Sequence, residues 1–63
     1  MNKQIFNKFG EVAYNISDQG NAVFVYDAQG NLKYRYDRTT NMSYDASGNI
    51  VMIGNIILDL DRG

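Results

Sequence analysis

Tyr14, Phe24, Tyr26, Tyr34, Tyr36 and Tyr44 are the side chains with the most capacity for recognition. Aromatic faces stack on sugars and on single-stranded bases, the latter worth roughly 1–3 kcal/mol per base. The run Leu32-Lys33-Tyr34-Arg35-Tyr36-Asp37-Arg38 also interleaves cations with rings. In a strand, alternate side chains point to opposite faces, which puts Lys33 and Arg35 across the sheet from Tyr34 and Tyr36. Cations so placed do not flank a base stacked on those two rings. The rings therefore read first as core or interface, the cations as a solvated face, and nucleic acid is not an expected partner.

Two other sets of residues invite a chemical reading. Asp59-Leu60-Asp61-Arg62-Gly63 begins like a calcium loop, with carboxylates two apart. Such a loop needs further oxygen ligands and a bidentate acid downstream, and the sequence offers none, so no metal and no cofactor is expected. For catalysis, the absence of His and Cys leaves Ser17, Ser43 and Ser47, a few Thr and Lys, and a cross-strand pair of acids, Glu11 and Asp27. No base is arranged near the hydroxyls, and two acids on a sheet surface are more often a mild repulsion than a dyad. The expectation is a protein that is not an enzyme.

The chain that must position these groups has 63 residues, with no Cys, His, Pro or Trp. A domain of roughly 60 residues buries only about 60% of its unfolded surface, and here neither disulfides nor a Cys or His zinc site can supplement the core. Six Lys plus Arg against seven Asp plus Glu create no field that attracts nucleic acid or a membrane. The start lacks the apolar stretch of a signal peptide, and the apolar region Ile50 to Leu58 is interrupted by Gly54 and Asn55 and is too short to span a bilayer. No membrane association is expected; the cytoplasm is the default location, and the residues name no compartment.

Glycine spacing carries the architectural signal. Asn7-Lys8-Phe9-Gly10, Ser17-Asp18-Gln19-Gly20, Asp27-Ala28-Gln29-Gly30 and Asp45-Ala46-Ser47-Gly48 each begin with a short side-chain acceptor and end in Gly. This is the pattern of a type I turn whose fourth residue is left-handed, which joins antiparallel strands through a three-residue loop. Pairing the residues that flank each loop sets Phe6 opposite Val12, Ile16 opposite Ala22, Tyr14 opposite Phe24 and Val12 opposite Tyr26. It also sets Tyr26 against Leu32, Phe24 against Tyr34, Ala22 against Tyr36, Tyr44 against Ile50 and Met42 against Met52. In Asp37-Arg38-Thr39-Thr40-Asn41, Thr40 occupies the glycine position, and a β-branched residue is a poor left-handed one. A wider loop, or a positive φ at Asn41, is expected there. Ile53-Gly54-Asn55-Ile56 fits a two-residue hairpin leading to a last strand over Ile56 to Leu60.

The expected fold is all-β over residues 1–63 as a single domain: an antiparallel up-and-down meander of six or seven short strands without a helix. This register collects the aromatic residues on one face, on the order of 500–600 Å² for seven strands of about five residues. That is at the upper end of what a soluble monomer exposes, so closure as a small barrel or packing as an oligomeric sandwich is expected. Val23 and Val25, beside Ala13 and near Ile5, mark a smaller buried surface on the other face.

Tyr26-Asp27-Ala28-Gln29-Gly30-Asn31-Leu32 and Tyr44-Asp45-Ala46-Ser47-Gly48-Asn49-Ile50 resemble the YD repeats of bacterial Rhs and wall-associated proteins. Tyr36-Asp37-Arg38-Thr39-Thr40-Asn41-Met42 is a partial copy without the Gly. In that family the repeats build β-sheet shells and carry no catalytic residues, so the resemblance implies hairpin architecture and a structural role. The functional expectation is a structural or protein-interaction module that self-associates through Tyr14, Phe24, Tyr26, Tyr34, Tyr36 and Tyr44. The competing expectation is a small barrel binding a sugar or single-stranded nucleic acid on its tyrosines.

Overall fold

The computed structural model describes residues 2–62. Six strands follow one another, β1 (Asn2–Phe6), β2 (Val12–Asp18), β3 (Ala22–Asp27), β4 (Leu32–Asp37), β5 (Met42–Asp45) and β6 (Ile50–Ile53), and a single helix, α1 (Ile56–Asp61), ends the described chain. The strands form one antiparallel sheet in sequence order, β1-β2-β3-β4-β5-β6. The up-and-down meander is thus as expected. The sheet is open and does not close as a barrel, and the seventh strand is replaced by a helix.

Each Asp- or Asn-initiated turn is built from its own sequence. Asp27 Oδ1 accepts from the backbone N–H groups of Gln29 (3.0 Å) and Asn31 (2.8 Å), while Gly30 N–H donates to the Asp27 carbonyl (3.0 Å). Asp45 repeats the arrangement with Ser47 and Asn49, and Asn7 with Phe9 and Glu11. Gly30 closes the loop at φ +91°, a conformation that costs an L-residue roughly 1–2 kcal/mol. In the loop after β4, Asn41 takes the positive φ, at 56°, and the loop is wider than in the other hairpins, with Asp37 opposite Met42. The loop after β2 is tighter than expected. Asp18 pairs with Val23, and Gln19 N–H donates to the Ala22 carbonyl, leaving Gly20 and Asn21 as a two-residue turn.

Register departs from the expected one for a repeated reason. The first pair beyond each three-residue loop is as expected: Phe6 with Val12, Tyr26 with Leu32, Tyr44 with Ile50. The next pairs are Ile5 with Tyr14, Val25 with Tyr34 and Ser43 with Met52, so Ala13, Lys33 and Val51 are each an extra residue in a β-bulge. A one-residue slip exchanges the two faces of a strand relative to its neighbour. Tyr34 therefore lies opposite Val25, not Phe24, and Tyr36 opposite Val23, not Ala22. With the tighter second turn, Ile16 lies opposite Val25 and Tyr14 opposite Asp27, displacing the expected pairs with Ala22 and Phe24.

The core sits where Val23 and Val25 pointed. Ile5, Ile16, Val23, Val25 and Ile57 form it, and Tyr14, Tyr34, Tyr36 and Leu60 pack against it. The surface expected to be the lesser one is the main core, and α1 covers it. Val25, fully buried, gains roughly 1.5–3 kcal/mol from leaving water.

Helix α1 starts because three groups specify its first turn. Gly54 takes φ +108°, Asn55 is the N-cap with its Oδ1 accepting from Ile57 N–H at 2.9 Å, and Ser43 reaches across from β5. The Ser43 hydroxyl donates to the Gly54 carbonyl at 2.6 Å and accepts from Ile56 N–H at 3.0 Å, with no exposed surface. Ile57 and Leu60, three apart, then face the sheet, as neighbouring turns of a helix allow. At the far end of the helix Asp61 pairs with Lys3 of β1 at 2.7 Å.

Four aspartates stabilise the turns electrostatically. The Arg38 guanidinium grips Asp18 through both carboxylate oxygens, at 2.8 and 2.9 Å, and also bonds the Gly20 carbonyl, joining the second and fourth turns. That guanidinium, then the Gly20 N–H, hold the Asp18 carboxyl well below the usual carboxylate range. Backbone N–H groups led by those of Asn31, Thr39 and Asn49 lower Asp27, Asp37 and Asp45 in turn. A lowered folded-state value means stability that is present above the unfolded value, about 4, and is lost as pH falls through the folded one. The thermal midpoint is expected to be flat between about pH 7 and 5 and to fall steadily below about pH 4. Melting followed by circular dichroism checks this, and Asp18→Asn is expected to flatten the acid limb; a midpoint that rises on acidification contradicts it.

Candidate interaction surface

The observed register divides the six aromatic residues expected on one face into two groups. Tyr14, Tyr34 and Tyr36 belong to the helix-covered face and pack on the core. Phe24, Tyr26 and Tyr44 lie on the other, outer face, as the observed pairs require: Asn15 with Tyr26, Phe24 with Arg35, and Arg35 with Tyr44. The single aromatic platform does not form. The physical reasons are the two-residue turn at Gly20, the extra residue Lys33 between β3 and β4, and the wider loop after β4, which sets Tyr44 against Arg35 in place of Tyr34.

Strand alternation arranges the outer face in cross-strand rows. One row runs Asn2, Ser17, Phe24, Arg35, Tyr44, Ile50; a second runs Ala22, Asp37, Met42, Ile53; a third runs Gln4, Asn15, Tyr26, Leu32. All three grow more apolar away from β1. On β1 and β2 the face is mostly amide and hydroxyl, with Gln4 Nε2 donating to Asn15 Oδ1 at 3.1 Å, and is apolar only at its end, where exposed Phe6 pairs with Val12. From β3 to β6 it presents half-buried Phe24, Tyr26, Met42 and Tyr44 and exposed Leu32, Ile50 and Ile53.

Arg35 sits in the middle of this apolar half. Its guanidinium carbon is 4.4 Å from the Tyr44 ring centroid, a cation–π contact, and Nη1 is 3.4 Å from Asp37 Oδ2. The Tyr44 hydroxyl lies 3.2 Å from Thr40 Oγ1. Sequence alternation placed Arg35 correctly relative to Tyr34 and Tyr36, but did not reveal that it shares a face with Phe24 and Tyr44. The bulge at Lys33 sets Arg35 opposite Phe24, and the wider loop after β4 sets it opposite Tyr44.

The other candidate residues are drawn into structure. Asp27 lies opposite Tyr14, while the Glu11 carbonyl accepts from Asn7 N–H at 2.8 Å, so the two acids are not cross-strand partners. The Ser43 hydroxyl is occupied at the start of α1. Asp59 and Asp61 are helical, and Asp61 is held by Lys3. No three His, Cys, Asp or Glu among the described residues are grouped to hold a metal ion, and none of their helices is long and apolar enough to cross a membrane. Set against protein-family models, curated proteins and solved structures, the chain matches none.

Proposed function

We propose that the protein is a non-catalytic structural or protein-interaction module that self-associates through the outer face of its sheet. One observation carries this reading: the helix covers only the inner face, and the apolar half of the outer face, Phe24, Tyr26, Leu32, Met42, Tyr44, Ile50 and Ile53, has no covering element among the described residues. A chain of this size gains from a second layer on that side. The hairpin likeness to YD repeats supports the same structural role.

Sedimentation equilibrium is expected to give a mass above the 7.1 kDa of one chain, and Tyr26→Ser with Tyr44→Ser to return it toward one chain. A single-chain mass at every concentration overturns the reading. The stacked Arg35 favours a second use of the same face, with a sugar or single-stranded nucleic acid lying on Phe24, Tyr26 and Tyr44. Titration of short oligonucleotides and glycans against tyrosine fluorescence tests it; a flat response to both eliminates it.

A further inference from the structure

The edge of the sheet at β6 differs from the edge at β1 in a way that selects its occupant. β6 reads Ile50-Val51-Met52-Ile53, with no charge, no Pro and no Gly, and Ile50 and Ile53 are 58% and 75% exposed. Native edges are usually blunted by just those missing features. β1 carries such a device, since Lys3 lies on it and is held by Asp61.

Hydrogen-bond alternation says which groups β6 offers. Gly54 N–H donates to the Asn41 carbonyl and Asp45 N–H to the Asn49 carbonyl, so both 41/54 and 45/49 are bonded pairs. The intervening pairs Met42/Ile53 and Tyr44/Ile50 are then non-bonded, and the N–H and C=O groups of Ile50 and Ile53 point away from β5. These two residues also share the outer face, by their pairing with Tyr44 and Met42.

We infer that β6 is a homotypic edge, pairing antiparallel with β6 of a second copy about a two-fold axis between Val51 and Met52. In that register Ile50 of each copy lies opposite Ile53 of the other. The outward backbone groups of one meet those of the other, and the two isoleucines meet on the outer face. Val51 and Met52 oppose each other in the same way, so the segment is its own complement. A two-fold pairing closes on itself, whereas β6 on β1 would propagate as a filament and would bring the polar Asn2, Gln4 and Lys3 to an apolar edge. The join also continues the apolar half of the outer face from one copy into the next. The inference rests on self-association as the protein's role and adds an edge contact at β6 to the association through the outer face.

The test is amide hydrogen exchange by NMR at low and high protein concentration, beside sedimentation of the full chain and of Ile53→Lys. The expected result is a dimer in which the Ile50 and Ile53 amides gain at least about ten-fold protection on concentrating. Ile53→Lys is expected to raise the dimer dissociation constant at least about ten-fold while leaving the melting midpoint of the dilute protein in place. Because Ile53 also belongs to the outer face, the amides decide between the two: a dimer whose Ile50 and Ile53 amides stay unprotected overturns the edge but keeps association through the face, whatever Ile53→Lys does. A monomer at all concentrations overturns both.

Discussion

Ile57→Ala is expected to cost about 2–4 kcal/mol of folding stability, whereas Leu58→Ala, one residue on, is expected to cost less than about 0.5 kcal/mol. Ile57 is 9% exposed and belongs to the core, and Leu58 is 63% exposed on the far side of α1. Removing three carbons from Ile57 opens a cavity between helix and sheet that the short helix cannot collapse to fill. At roughly 0.05–0.15 kcal/mol per residue a chain of this length has only about 3–9 kcal/mol in total. The loss is thus a large fraction of the whole, and urea titration followed by circular dichroism measures it. Equal costs at the two positions would mean that α1 does not seal the core as described.

Ser43→Ala is expected to cost about 1–3 kcal/mol, a large effect for the loss of one oxygen. The hydroxyl has no exposed surface and serves two partners, so its removal leaves the Gly54 carbonyl and the Ile56 N–H without it. Asn55→Ala removes the neighbouring cap bond to Ile57 N–H, worth about 1 kcal/mol. Since both side chains hold the same helix start, the double variant is expected to cost less than the sum of the two. The shortfall should be at least about 0.5 kcal/mol in a double-mutant cycle. Strict additivity would show that Ser43 and Asn55 act on separate parts of the fold.

The hairpins were legible because turn chemistry is local. Asp27 and Asp45 bond the backbone two and four residues on, Gly30 and Gly48 close the loops, and Asn41 takes the dihedral that Thr40 resists. The faces were not legible, because the bulges at Ala13, Lys33 and Val51 follow one pair after the loop and leave no mark in residue type. Ala, Lys and Val have nothing in common that signals an extra residue. Each bulge lies six positions after the residue that opens its turn, and that regularity appears only once the pairing is known. Val23 and Val25 did indicate a second buried surface, but nothing local told that it would hold the core. The helix was hidden by Gly54-Asn55, which reads equally as a hairpin turn and as an entry followed by an N-cap. The deciding contact comes from Ser43, distant in sequence. Half of the aromatic set therefore belongs to the core, and half lies on the outer face.

The ion pair between Lys3 and Asp61 has an additional meaning for how the protein can be anchored. It brings the two ends of the described chain to one corner of the molecule, on the strand farthest from β6. Five strand spacings of about 4.8 Å put that corner on the order of 20 Å from the opposite edge. A tether joined at residue 2 or at residue 62 departs from the same side, so a surface, a label or a fused domain held by either one leaves the apolar strand pointing outward.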